Sequence, residues 1–290
     1  MEDIPAIAGP RRYTLTITND PVLQDHRFLG QAVLPAVYAL GYLARTVGRE
    51  FPDAAVTFSE AIRFDKFLAL PAAGAPDVAV FADIEPKPDG GIEAELLTRH
   101  VAAKSGMTRM KAHVRCRFGV AADGMDTLPP VPAWREAPAE IYHLPVDRLY
   151  AEMVPFGPAF QNVVSPVQLG PGGARAVVAG GSIDAGGRSP QLGSPFPLDA
   201  AFHAACAWSQ RFHGIIAFPV AMEQRWIRNR TRFGKHYHAD IRFREEAGGC
   251  LLFDLWLHDR EGRLCECIQG LTMRDVSGGR LQPPGWVRCC

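Results

Sequence analysis

PAVYALGYLARTVGRE, residues 35–50, is the stretch on which the fold turns. Leu40, Leu43, Ala44 and Val47 recur at spacings of three and four, which places them on one side of a helix and marks that side as buried. Pro35 suits the first turn of such a helix, where a missing N–H costs nothing. Further along, the pattern changes period. In 109–118, Arg109, Lys111, His113, Arg115 and Arg117 alternate with Met110, Ala112, Val114, Cys116 and Phe118, which predicts a strand with one wet face and one packed face. Residues 77–84 and 92–99 read as strands too.

The same order of parts returns in the second half. LDAAFHAACAWSQRF, 198–212, predicts a second apolar helix through Ala201, Phe202, Ala205 and Trp208. Strands follow at 239–243, 250–258 and 263–274, the last two flanking a hairpin turn at Arg260-Glu261-Gly262. Between the halves, the proline-rich run TLPPVPAWREAP reads as a linker. The expected division is therefore 1–122, a linker at 123–138, 139–276, and a tail at 277–290. One helix followed by strands, twice, predicts two α+β units packed as a pseudo-dimer.

Composition narrows the function classes. The 290 residues are 47% hydrophobic, ample for a packed core. Lys plus Arg and Asp plus Glu are 31 each, so the broad positive field that nucleic-acid binding uses is absent. No run approaches the ~18 apolar residues of a membrane span, and MEDIPAIAGPRRY has too short an apolar run for a secretory signal. Seven scattered cysteines without a CxxC argue against a disulfide framework or a zinc ribbon, so a cytoplasmic protein with reduced thiols is expected.

Three places carry chemistry. His26 stands on a turn ahead of the first helix, with Gly30 four residues on to allow positive φ or a close backbone approach. The helix start beyond offers free N–H groups to a carbonyl oxygen gaining charge. Asp199 lies in or near the first turn of the second helix, with His203 on the same face. It reads either as a cap or dipole partner, or as an acid raised toward a useful pKa by apolar surroundings. Ala200, Ala201, Ala204 and Ala205 leave room for something to approach that helix. The third place, PFGPAFQ at 155–161, turns at Gly157-Pro158 and reads equally as a structural corner.

Together these stretches resemble the polyketide synthase dehydratase family. His26, Gly30 and Pro35 match its HxxxGxxxxP signature; Gly157, Pro158 and Phe160 match YGPxF; Asp199 and His203 match DxxxQ/H. AFPVAME at 217–223 is a weaker echo of an LPF-type motif, and the similarity spans about 14–275 in family order. The resemblance implies a double-hotdog fold, α+β, in which two long helices are each wrapped by an antiparallel sheet and each half supplies one catalytic residue. It implies dehydration of a 3-hydroxyacyl thioester held by phosphopantetheine on an acyl carrier protein. His26 would be the base, Asp199 the acid, and His203 would orient Asp199 or the hydroxyl. The N–H of Gly30 and the helix start would receive the thioester oxygen, with Pro35, Phe156, Gly157, Pro158 and Phe160 shaping the substrate site. No metal or organic cofactor is implied. The partners implied are the carrier protein and other synthase domains, with a homodimer also expected, and neither nucleic acid nor membrane. One departure stands out: Phe156 occupies the place of the family's tyrosine, so a hydroxyl is missing there.

Rival readings keep the same His and Asp pair. A double-hotdog isomerase would move a double bond, and a product-template-like cyclase would guide aldol chemistry. A non-catalytic acyl-binding module is the third. For carrier docking, the acid-free run RWIRNRTRFGK at 225–235 offers Arg225, Arg228, Arg230, Arg232 and Lys235, and reads also as a solvated strand edge. The stripe Arg109 to Arg117 is ambiguous in the same way. His236 and His238 share a strand face without a third ligand, so no metal site is read there.

Overall fold

The computed structural model describes residues 9–101, 106–119, 128, 130–133, 140–181 and 191–288. Helix α1 spans Ala36–Glu50, and the four residues of its predicted inner face are fully buried. Pro35 stands one residue outside as the cap, its carbonyl accepting from the N–H groups of Tyr38 and Ala39. Helix α2 spans Phe196–Phe212, starting two residues before the predicted 198 because Pro197 fits the first turn. Trp208 anchors it, donating from Nε1 to the Gly170 carbonyl at 2.8 Å. Ala200, Ala201, Ala204 and Ala205 are fully buried. They leave no room for a ligand. Their small side chains let the surrounding elements pack closely on the helix.

Among the described residues, twelve strands form one antiparallel sheet. In chain order they are β1 (Arg11–Ile17), β2 (Phe58–Phe64), β3 (Val78–Pro86), β4 (Ile92–Val101), β5 (Thr108–Phe118), β6 (Tyr142–Leu144), β7 (Val167–Gly170), β8 (Gly173–Ala179), β9 (Phe218–Ile227), β10 (His236–Ala247), β11 (Cys250–His258) and β12 (Leu264–Arg274). Their order across the sheet is β1-β3-β4-β5-β2-β9-β12-β11-β10-β8-β7-β6. Strands of the first half pack on α1 and those of the second on α2. This is the α+β double-hotdog arrangement, with β2 and β9 pairing antiparallel to join the two sheets into one.

That seam overturns one expectation. Arg225 lies on β9 between β2 and β12, not on a solvated edge, and is 4% exposed. Its Nε donates to Glu266 Oε1 at 2.6 Å, with both side chains buried. Arg225 therefore cannot dock a partner, whereas Arg228, Arg230, Arg232 and Lys235 are exposed. Glu266→Gln would leave the guanidinium buried without its counter-charge, and should lower unfolding free energy by about 3–5 kcal/mol. Urea denaturation checks it.

On β5 the wet face that alternation predicts holds at Arg109 and Arg115, with Lys111 and Arg117 half-buried, but fails at His113. β4 residues Leu96 and Leu97 pair with Val114 and Ala112, leaving His113 as the extra residue of a β-bulge. The bulge turns His113 inward, where it is 3% exposed. Its Nδ1 donates to the Lys66 carbonyl, and its Nε2 accepts from Thr98 Oγ1. Arg115 pairs with Asp65 and Glu95, and Arg117 with Glu60 and Asp89.

Of the proline-rich stretch 123–138, only 128 and 130–133 lie within the described residues. Leu128 and Val131 cover a satellite cluster of Phe58, Trp226 and Trp256, and Arg242 donates to the Pro132 carbonyl. The segment after 276, expected as a tail, packs onto the second half instead. Val287 is fully buried, and the Arg148 guanidinium lies 3.5 Å from the centre of the Trp286 ring. Cys289 and Cys290 lie outside the described residues. Among the described residues, no helix is long and apolar enough to cross a membrane.

Candidate active site

His26 and Asp199, 173 positions apart in the chain, line one cavity of about 1060 Å³. A short helical turn, Pro21–Asp25, delivers His26, and a tight hairpin follows it. Leu29 and Gly30 form the two-residue loop of that hairpin with φ of 49° and 80°. Positive φ at both positions is what a type I′ turn requires. A Cβ on Gly30 would meet nothing, so this glycine serves the turn and not a close approach.

The hairpin returns Val33 to His26. Val33 N–H donates to the His26 carbonyl at 2.9 Å, and His26 Nδ1 lies 3.0 Å from the Val33 carbonyl. A carbonyl only accepts, so Nδ1 carries the proton and Nε2 keeps its lone pair. Phe156 stacks on the imidazole at 4.4 Å and Phe160 meets its edge at 5.1 Å. Burial lowers the His26 pKa below 6.5, opposed by the negative charge of Asp199 and the bond to Val33. The sign follows directly: a base with lowered pKa stays neutral to lower pH. The acid limb of kcat/KM should therefore fall below pH 6.5, the ordinary histidine value; an initial-rate pH profile checks it.

Asp199 does not cap α2. Its neighbour one turn on is His203, with Nε2 3.1 Å from Oδ2, both side chains buried. The approach is too bent for an aligned hydrogen bond, and neither atom has another partner. A buried, unsatisfied acid–imidazole pair facing a cavity invites a polar ligand. Phe156 also leans on His203 at 4.9 Å, so one ring touches the imidazoles from both halves. Behind His203, Tyr150 brings a hydroxyl to 3.3 Å from Nδ1.

Asp25 locks the two halves together beside His26. Its carbonyl accepts from Gly157 N–H at 2.8 Å, and its Oδ2 from Ala159 N–H at 2.9 Å. A Cβ on Gly157 would overlap the Asp25 side chain, which explains the glycine at a φ of −70° that any residue adopts. Of the predicted site residues, His26, Gly30, Phe156, Asp199 and His203 line the cavity. Pro35, Gly157, Pro158 and Phe160 do not. They stand behind the wall, Gly157 spent on Asp25 and Phe160 fully buried against His26. Of the expected oxyanion donors, Gly30 at its exposed hairpin tip and Ala36 at the helix start both line the cavity. The helix start keeps N–H groups without intrahelical acceptors.

The sequence reading missed Asp25 and Tyr150, and also Phe202 and Cys206, which continue the cavity face of α2 at helical spacing from Asp199. It missed the rim as well. Arg27, Lys66, Lys111 and Arg274 line the cavity, and all but the half-buried Lys111 are exposed. Leu29 and Phe67, also lining it, are 48% and 38% exposed. Leu281 and Gln282 complete the wall from the C-terminal segment.

The model of the polyketide synthase dehydratase N-terminal domain matches residues 131–283. Among solved structures, a trans-AT polyketide synthase dehydratase domain from Brevibacillus brevis is 19% identical, covering 92% of this chain and 94% of that one, with a TM-score of 0.67. The dehydratase domain of RzxB from Pseudomonas fluorescens is 15% identical, covering 93% and 98%, TM-score 0.67. A bifunctional dehydratase-cyclase domain in ambruticin biosynthesis is 20% identical, covering 91% and 90%, TM-score 0.63. No curated protein matches the sequence.

Proposed function

The chain belongs to the polyketide synthase dehydratase family, and from that premise we propose that it eliminates water from a 3-hydroxyacyl thioester carried by an acyl carrier protein. The observation that carries this reading is the single cavity lined by His26 of one half and Asp199 of the other. In the proposed reaction His26 Nε2 takes the C2 proton, and the electron pair forms the C2–C3 double bond. Asp199 gives its proton to the departing hydroxyl, which leaves as water. The proton on His26 then returns to Asp199 through solvent, so the enzyme ends as it began. N–H groups at the start of α1 would hold the thioester oxygen while it carries charge. Acid–base chemistry alone suffices, so the proposal asks for no metal or organic cofactor.

The rim supports the carrier-bound form of the substrate. Arg27, Lys66, Lys111 and Arg274 outnumber the carboxylates Asp65, Glu152 and Asp275 around the cavity and suit the phosphate of phosphopantetheine and an acidic protein surface, with Leu29 and Phe67 as apolar contacts. The double substitution Lys66→Glu, Lys111→Glu should raise KM for a carrier-bound substrate about tenfold at low salt, while leaving KM for a short pantetheine thioester nearly unchanged. Steady-state assays on the two substrates check it.

The deciding experiment is intact mass spectrometry of a 3-hydroxyacyl carrier protein incubated with the enzyme. Loss of one water is expected. Unchanged mass with a shifted double bond in an enoyl substrate would favour the isomerase, and unchanged mass with ring closure the cyclase.

A further inference from the structure

Tyr150 takes no part in the chemistry above and does not line the cavity, yet its hydroxyl is wired to the acid. Its oxygen accepts from Val163 N–H at 2.8 Å. With the oxygen already accepting from Val163, the hydroxyl has its own proton left to donate, and His203 Nδ1 lies 3.3 Å away as its acceptor. Burial keeps the phenol protonated by pushing its pKa far above the usual value. The ring stands edge-on to His203, with centroids 5.8 Å apart, and Phe156 leans on the same imidazole.

We infer that Tyr150 is a positioning residue that fixes the tautomer of His203 and thereby chooses which oxygen of Asp199 carries the acidic proton. When Tyr150 O–H donates to Nδ1, the neutral imidazole must hold its hydrogen on Nε2. Nε2 lies 3.1 Å from Asp199 Oδ2 by a bent approach, and a small turn of the carboxyl lets Oδ2 take that hydrogen, so that Oδ2 can then only accept. The acidic proton is left to Oδ1, free for the substrate hydroxyl. In the other tautomer, Nε2 would offer a lone pair to Oδ2, draw the acidic proton to itself, and leave Oδ1 an acceptor that cannot protonate a leaving group. The phenol thus supplies from the side a hydroxyl that Phe156 lacks.

The inference rests on the proposed dehydratase reading for its meaning, but its first test needs no turnover. Proton–nitrogen correlation spectra of the histidine side chains in the full chain should show His203 with a protonated Nε2 and a bare Nδ1. Tyr150→Phe should convert that signal to a mixture of tautomers. A protonated Nδ1 in the unaltered protein, or an unchanged spectrum in the variant, overturns the assignment. The second test uses kinetics in two backgrounds. Tyr150→Phe should lower kcat about tenfold with KM unchanged, and shift the basic limb of the pH profile. In the His203→Ala background there is no tautomer left to choose, so the same substitution should change kcat by less than about twofold. Equal losses in both backgrounds, with melting temperatures tracking them, would make Tyr150 a packing residue and overturn the inference. Failure of the chain to dehydrate any substrate would leave the spectra as they are, so the two readings fail separately.

Discussion

His26→Ala is expected to lower kcat/KM by about 10²- to 10⁴-fold, the usual span of general base catalysis. The cause is specific: Nε2 is the lone pair that the Val33 carbonyl leaves available in the cavity, since Nδ1 is committed as a donor. No nearby group can replace it, because His203 is turned toward Asp199 and Tyr150. The imidazole also fills the space between Phe156 and Phe160, so some stability goes with it. Thermal melting beside the assay separates the two effects, and a folded variant that retains turnover would remove His26 as base. A sharper readout is exchange of the substrate C2 hydrogen with deuterium from solvent. His26→Ala should abolish it.

Asp199→Asn should cost a similar factor, about 10²- to 10⁴-fold, for the opposite reason. The amide keeps the size of the carboxyl and a contact to His203 but cannot deliver a proton at neutral pH. Its base is intact, so C2 exchange should continue while no water is lost. That contrast, exchange without elimination in one variant and neither in the other, assigns the two roles without relying on rates. It would fail if both variants exchanged equally.

The sequence carried the regular parts of this molecule because they follow a period. The helix at 36–50 and six of the strands, β3 to β5 and β10 to β12, announce themselves through spacing, and the ordered motifs pointed to His26 and Asp199. What stayed hidden breaks period or crosses the chain. The bulge at His113 interrupts a clean alternation, and only the pairing register with Leu96 and Leu97 reveals it. Arg225 looks like surface charge until β2 closes over it and Glu266 is found on the adjoining strand. Asp25 meets Ala159 across 134 positions, a contact that no local pattern encodes. Tyr150 reaches His203 in the same long-range way. Even Gly157, marked by its motif, has a reason visible only with Asp25 beside it.

The two-unit build has a consequence for inheritance. Counted from the first helical residue, Asp199 and His203 hold the fourth and eighth places of α2, and the same places of α1 belong to Ala39 and Leu43. Neither can hold or deliver a proton, and Ala39 lines the same cavity as His26 and Asp199. The site is written entirely in a single copy of the chain. A dimer of separate hotdog chains bearing different lesions could assemble one intact site from two defective parents. This chain cannot: mixing His26→Ala with Asp199→Asn should restore nothing, so a host carrying both alleles would behave as a null.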